Sequence, residues 1–393
     1  MTADATQTFS DEPTLPLRGV RVVDMSRLIG GALATLKLAD LGADVIKIEE
    51  PGRGDYLREI PPFVNGKSLI NELLNRNKRS IALDFHDPDD RTMLEELVAA
   101  ADVIVEVSRP GRLLEANVDL EAWHRRRPRL TICSITGFGQ TGPLADLPAH
   151  GMNIDALAAI MPLAHRPDGR PTIGSDIALG LELGALNAVI AVLASVLEAR
   201  TTGTGRRIDI SCWDAAAAIG RLDLAHRHAT GRPAITPRDL GAFYDLYRAS
   251  DEELVLFCAI EQKFWQSFCA AIDRCDLIDV WGSASNVDYG NDPKVRSVLD
   301  EIFATQTADE WQDLFLRAGV PGCKVVDAAG IIQLEHFTAR DLAERASADG
   351  LLALADAIRW GDGSRPGHQR TLAPQLGQHS QEIIANWLHE VPG

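Results

Sequence analysis

The sequence predicts an α/β protein with a mostly parallel sheet and a second, smaller domain. Short β-branched runs alternate with helical patterns through the first half of the chain. The length of 393 residues suits two domains at roughly 100–200 residues each. Composition shifts near residues 229–240, where Thr230, Gly231, Pro233 and Pro237 suggest a linker.

Val20–Asp24 is a short β-branched run and Asp44–Ile48 is another. Between them, Ala32–Leu41 sets apolar residues at helical spacing among helix formers, completing a strand–helix–strand unit. Arg91–Ala101 predicts a second helix, followed by strands at Val103–Val107 and Leu130–Ile135. Ile177–Arg200 is rich in alanine and leucine and free of proline, which predicts a long buried helix. It stops at the glycine-containing Thr201–Gly205 and leads into a strand at Arg207–Ile210. The second unit, from Phe243 to about Cys323, holds a strand at Glu253–Ala259 and helices near 263–273 and 308–318.

The net charge of −17 argues against nucleic-acid binding, which needs a basic surface to neutralise phosphates. The longest apolar candidate, Leu183–Leu197, is interrupted by Asn187 and Ser195 and falls short of the ~20 residues that span a bilayer, so no membrane partner is expected. The first 14 residues are polar and acidic, the pattern of a loose tail and not of a signal peptide. Cys133, Cys212, Cys258, Cys269, Cys275 and Cys323 form no CxxC pair, as expected for reduced thiols of a cytoplasmic protein.

A Rossmann-like layout is therefore expected, but without a nucleotide fingerprint. The first strand is followed by Ser26-Arg27-Leu28-Ile29-Gly30-Gly31, neither GxGxxG nor a phosphate loop of the GxxxxGK type. His226 and His228 form an HxH pair on an arginine-rich stretch, yet no HExxH or zinc-spaced cluster occurs, so no metal is expected. Gly174-Ser175-Asp176 lacks the spacing of a serine-hydrolase elbow.

Four stretches, in order, resemble the family III CoA-transferases. They are Leu17–Pro51, Asn75–Asp84 (NRNKRSIALD), Ser134–Pro143 (SITGFGQTGP) and Arg200–Ala215 (RTTGTGRRIDISCWDA). The resemblance covers nearly the whole chain. It implies an interlocked homodimer with a Rossmann-like large domain that takes both chain ends and a smaller domain between them. The expected division is 15–228 for the first part of the large CoA-binding domain, 229–335 for the linker and small domain, and 336–393 for the return.

The family holds two chemistries, CoA transfer between carboxylic acids and racemisation of 2-methylacyl-CoA thioesters. Both use a carboxylate at the position of Asp176. Read alone, Asp176 is placed as an N-cap for the long helix. In the transferases the matching aspartate attacks the thioester, forms a mixed anhydride and then carries CoA as an aspartyl thioester. The helix N-terminus would keep it ionised and help to stabilise an oxyanion. His150 and Asn153, in Ala149-His150-Gly151-Met152-Asn153, resemble a histidine–aspartate–isoleucine–asparagine run of the racemases, where the histidine and the aspartate form an acid–base pair; Gly151 departs from it. Glu261, in Ala259-Ile260-Glu261, resembles a racemase glutamate that lies near that histidine and would orient its ring.

For CoA, the resemblance implies contacts from Ile29 and Gly30, from Asn77-Lys78-Arg79, and from Gly137-Phe138-Gly139. Glu50 and Glu115 stand where some transferases place phosphate-binding arginines; Arg53, Arg58, Arg109 or Arg112 could compensate. The expected function is transfer of CoA between an acyl-CoA and a free carboxylic acid in organic-acid or lipid metabolism. CoA is then a co-substrate, with no permanently bound cofactor. The alternatives are an acyl-CoA racemase and a CoA-binding protein without catalysis.

Overall fold

The apolar runs of the first half pair side by side, every strand parallel to its neighbours. These are β1 (Arg21–Asp24), β2 (Asp44–Glu49), β3 (Arg79–Ala82), β4 (Val103–Glu106), β5 (Thr131–Thr136) and β6 (Arg207–Ser211), in the order β3-β2-β1-β4-β5-β6. Val23 of β1 lies opposite Ile46 on one side and Ile104 on the other. The structure, a computed structural model, describes residues 15–234, 241–282, 285–345, 352–367 and 371–387. The N-terminal tail, and Pro237 of the expected linker, lie outside the described residues.

Both faces of the sheet are covered, which is why its central strands β1 and β4 are buried along their whole length. Val22, Val45, Val103, Cys133 and Ile135 join one core with α1 (Leu28–Asp40) and α5 (Leu179–Thr202). Val23, Ile46, Ile104 and Ile132 join the other with α2 (Pro88–Ala100), α3 (Leu120–Arg126) and Trp387. Local caps start α2, three residues ahead of its predicted start at Arg91, and α3, which was not predicted. Asp87 accepts from the N–H groups of Asp89 and Asp90 at the head of α2, with Pro88 in the first turn, and Asp119 caps α3 from Ala122. The chain closes back on this unit, where Lys37 pairs with Asp356 at 2.7 Å and Arg21 donates to the Trp387 carbonyl at 3.1 Å.

α5 corrects one expectation. Its 24 residues are long and apolar enough, by length and composition, to cross a membrane. It packs against α1, β5, β6 and α6 (Cys212–Ala217) through Gly184, Ala185, Ala188, Val192 and Ala199. Its other face leaves Leu179, Leu186, Ile190 and Leu197 exposed.

The described chain divides into two units. One takes everything up to Arg221 and from Asp341 onward, and the other is Leu222–Arg340. The helix Arg221–Thr230 runs through the expected start of the linker, so the division falls a few residues earlier than the linker signals suggest. In the second unit β7 (Asp245–Arg248), β8 (Leu254–Phe257) and β9 (Gly322–Lys324) form an antiparallel sheet. α7 (Gln262–Ala271), α8 (Pro293–Phe303) and α9 (Ala308–Ala318) share its core. β7, β9 and α8 were not predicted. β7 and β9 are only 4 and 3 residues long, too short to show alternation.

Candidate active site

In a doubly wound parallel sheet, ligands bind beyond the carboxyl ends of the strands, where the strand order reverses. Here the order reverses between β1 and β4. Gly30 lies in the first turn of α1, just after β1; a Cβ built on it would sit 3.7 Å from Leu181 of α5 and 3.9 Å from Ile135 of β5. Gly137 opens the loop after β5, and a Cβ there would come within 2.3 Å of the Ala149 Cβ. Gly151, the first residue of α4 (Gly151–Leu157), would place a Cβ 2.1 Å from that of Ala178. Glycine at 137 and 151 therefore lets the loop after β5, the His150 turn and the chain leading into α5 close on one another. Ile29, Gly30, Gly137, buried Phe138, Gly139, His150 and the Asp176 loop gather at this edge of the sheet. Gly139 takes the left-handed conformation, φ +84°.

Asp176 is not the cap of α5. The cap position is Ala178, and the first two N–H groups of the helix, of Leu179 and Gly180, both donate to the buried Asp155 carboxylate at 2.8 Å. The next two, of Leu181 and Glu182, turn back to the Ala178 carbonyl. The expectation that this helix end would donate to an oxyanion is thereby corrected, because all four N–H groups are already bonded. The same arrangement frees Asp176. Its side chain is exposed, and among the described residues nothing donates to its carboxylate. Asp155 was missed from the sequence because its partners lie 24 and 25 residues away, beyond any local signal.

His150 occupies the N-cap position of α4, exposed, with its backbone N–H donating to Asn153 Oδ1 at 2.7 Å. His150 and Asn153 are thus coupled as the head of one helix. Gly151, the departure from the racemase run, has a packing cause: a side chain there meets Ala178. Glu261 lies in the second unit at the N-cap position of α7. It is half-buried, bridges Val287 through its backbone, and does not cap the helix with its side chain.

Lys78 and Arg79 have other partners than those expected. The Lys78 side chain is fully buried and donates to Asp24 Oδ2 at 3.2 Å, the Ala32 carbonyl at 2.9 Å and Asn75 Oδ1 at 2.9 Å. All three of its hydrogens have acceptors inside the protein, so a phosphate would have to displace them. Arg79 lies at the amino end of β3 and pairs with Asp44 and Glu382. Asn77 bonds Asp40 and Thr371.

Lys78 belongs to a charged cluster beneath the turn that follows β1. Lys47, buried under it, pairs with Asp55 at 2.8 Å and donates to the Ser26 carbonyl at 3.0 Å. Burial alone would raise the Asp24 carboxyl, but Lys47, Lys78, Ser26 and Thr35 outweigh it and hold its pKa at about 2. Burial lowers Lys78 to about 8 against the pull of Asp24, with Lys47 adding to the lowering. Lys47 moves up: burial opposes the shift, and Asp24 and Asp55 overcome it.

Of the four arginines offered for CoA phosphates, Arg58 is engaged by Glu49 at 2.7 Å and Arg112 by Glu115 at 2.8 Å. Arg53 stacks over Tyr56 and faces Glu59 at 3.7 Å. Arg109, after β4, donates to the neutral Asp146 carbonyl at 2.6 Å, which leaves its charge uncompensated by that contact. Among the described residues no group of three or more His, Cys, Asp or Glu side chains gathers as a metal site. His226 Nδ1 lies 2.9 Å from the Arg232 carbonyl on an exposed helix. Burial pushes the Cys133 and Cys212 thiols up to about 12, which removes them as nucleophiles.

Through Gly151, the turn that carries His150 closes on the chain leading from the exposed Asp176 into α5, at the carboxyl edge of a parallel α/β sheet. The chain belongs to CoA-transferase family III, whose profile matches residues 17–380. An acetyl-CoA:oxalate CoA-transferase of Acetobacter aceti is 31% identical over 96% of this chain and 97% of its own. A succinate–glutarate CoA-transferase of Agrobacterium fabrum is 35% identical over 94% and 95%. The crystal structure of a CaiB/BaiF family protein from Brucella suis superposes with a TM-score of 0.78 at 26% identity, covering 95% of this chain and all of that one. The chain is thus an enzyme that transfers CoA, with a CoA thioester as substrate.

Proposed function

We propose that this enzyme moves CoA between an acyl-CoA and a carboxylic acid through covalent intermediates on Asp176. An Asp176 oxygen attacks the thioester carbonyl, the C–S bond breaks, and CoA leaves as thiolate, giving a mixed anhydride. The thiolate attacks the aspartyl carbonyl and releases the donor acid as carboxylate. The acceptor carboxylate then attacks the aspartyl thioester, expelling the thiolate again. Thiolate attack on the acceptor's carbonyl yields the new thioester and restores Asp176.

The observation that carries this reading is the capping of α5 by Asp155, which leaves the Asp176 carboxylate exposed and unbonded. His150 is proposed to position the substrate acid, and Glu261, on the family resemblance, to take part in the reaction. Ile29, Gly30, Gly137, Phe138 and Gly139 are proposed to line the pantetheine path, with Arg109 favoured for a phosphate. Lys78 and Arg79 would take part only indirectly, through the partners that already hold them. The strand order supports reading the large unit as Rossmann-like. The exposed apolar stripe of α5 supports a homodimer, since Leu179, Leu186, Ile190 and Leu197, with half-buried Leu183, recur at the spacing of a helix–helix seam. The six free cysteines support a cytoplasmic setting. The relatives' names make oxalate and glutarate the first acceptors to try.

The test is incubation with acyl-CoA followed by mass spectrometry of the peptide that contains Asp176. A CoA adduct is expected, together with exchanged CoA esters when a free acid is added. Deuterium entering the α-carbon from heavy water without CoA exchange would instead establish the acid–base alternative with His150.

A further inference from the structure

The turn from β1 into α1 carries Ile29 and Gly30, and its conformation is not one that its own residues favour. Leu28 has φ +62°, the left-handed region that disfavours a side chain. No side chain caps α1 at Arg27, and no acidic residue lies in its first turn. The turn is held from below. The Leu28 N–H donates to Asp55 Oδ1 at 3.1 Å, and the same oxygen accepts from Leu57 N–H at 2.9 Å. The Asp55 N–H is bound in turn by Glu49 Oε1 at 3.1 Å. Lys47 clamps Asp55 Oδ2 at 2.8 Å and the Ser26 carbonyl at 3.0 Å. Asp24 accepts from the Ser26 N–H at 2.9 Å and from its hydroxyl at 2.5 Å.

The Lys47 and Asp55 side chains are 0% and 1% exposed. Burying charges is unfavourable, and apolar residues of similar shape commonly serve stability as well or better. The contacts these charges make supply a reason for them: each reaches a backbone group of the turn, or the charge beside one.

We propose that Asp55, held by Lys47, is a positioning residue for acyl-CoA binding, fixing the left-handed Leu28 and with it the backbone of Ile29 and Gly30. This rests on the reading that the β1–α1 turn meets the thioester. Removing the acceptor lets Leu28 relax towards negative φ, which rotates the peptide that leads into Ile29. The acid's own contacts elsewhere are untouched.

The experiment compares Asp55→Ala, Asp55→Asn and Ile29→Ala in steady-state transfer, with acyl-CoA and acid varied separately and melting temperatures recorded alongside. Asp55→Ala is expected to raise the KM for acyl-CoA about tenfold or more, the scale of a lost charge-assisted hydrogen bond, while the KM for the acid stays unchanged. Asp55→Asn retains an acceptor for Leu28 and should fall in between. A lower melting temperature with both KM values unchanged would reduce Asp55 to a structural residue and overturn the proposal, as would an equal rise in both. If Ile29→Ala also leaves the acyl-CoA KM unmoved, the reading of the turn itself falls; if only Asp55→Ala does so, the positioning role alone falls.

Discussion

The two units of this chain bury opposite kinds of side chain. In the large unit, Asp24, Lys47, Asp55 and Lys78 lie with no more than about 2% exposure beneath the turn after β1. Glu106, at the end of β4, and Asp155, which caps α5, are buried as well. In the small unit, among the described residues, no charged side chain is buried at all. Its core is a set of packed rings, with Tyr247 stacked on Phe303 at 4.5 Å and Phe303 tilted against Trp311 at 4.8 Å. The polar edges of these rings are satisfied by backbone carbonyls: Trp265 donates to Leu277 and Trp311 to Phe303. Apolar rings suffice to hold a small domain together. Buried charges are directional, and Asp24, Lys47, Asp55 and Asp155 each bond a backbone group at a turn or a helix end.

The sharpest way to test that contrast is to remove an exposed carboxylate to which no group among the described residues donates. Asp176→Ala should lower transfer roughly a thousandfold or more while leaving the melting temperature unchanged, because no group among the described residues bonds its carboxylate. A fall in melting temperature would show that Asp176 supports the fold after all. Next, Trp311→Ala should cost the small unit about 3–5 kcal/mol in denaturant unfolding. Asp24→Asn should cost the large unit a similar 3–5 kcal/mol or so, by leaving Lys47 and Lys78 without their shared partner. If Asp24→Asn were neutral, the charged cluster would not be holding the turn.

A smaller effect is expected at Gly151. Gly151→Ala forces the His150 turn away from Ala178 and should destabilise by about 1–3 kcal/mol, with loss of activity beyond the loss of folded protein.

One buried group in each unit carries an opposite dependence on pH. Asp24 titrates at about 2 in the folded protein against an ordinary 3.8, so it contributes stability above pH 3.8 that is lost as pH falls towards 2. Cys269, in the small unit, is pushed up to about 12 from 9 by burial, with Cys275 and Asp276 adding to the rise. Its contribution is full below pH 9 and is lost as pH rises towards 12. Asp24→Asn should flatten the acid limb of a melting-temperature profile, and Cys269→Ala should flatten the alkaline limb. If the two substitutions changed the same limb, the assignment would fail.

Much of the large unit was legible in the sequence. The strand at Asp44–Glu49 and the helix ending at Thr202 lie within a residue or two of their predicted limits, since periodicity and stop signals are local. β3 was legible only as part of a family motif, because four residues flanked by charge carry little alternation. The candidate site was legible as a set of positions and not as a set of contacts. The place of Asp176 ahead of α5 predicts a cap, because local sequence holds the helix but not the neighbouring α4 that supplies Asp155. The family resemblance implies Lys78 as a CoA contact, and nothing in Asn77-Lys78-Arg79 announces that Asp24, Ala32 and Asn75 will enclose the ammonium.

The sequence by itself determined the alternation of strand and helix, the membership in a CoA-transferring family and the place of Asp176 ahead of a long helix. These depend on residues within a few turns of one another or on motifs in order along the chain. Only the tertiary structure decided which carboxylate caps α5, which lysine is buried and which turn the buried charges hold. Those outcomes turn on desolvation and hydrogen bonding between segments distant in the chain, and no local pattern records the partner that burial will bring.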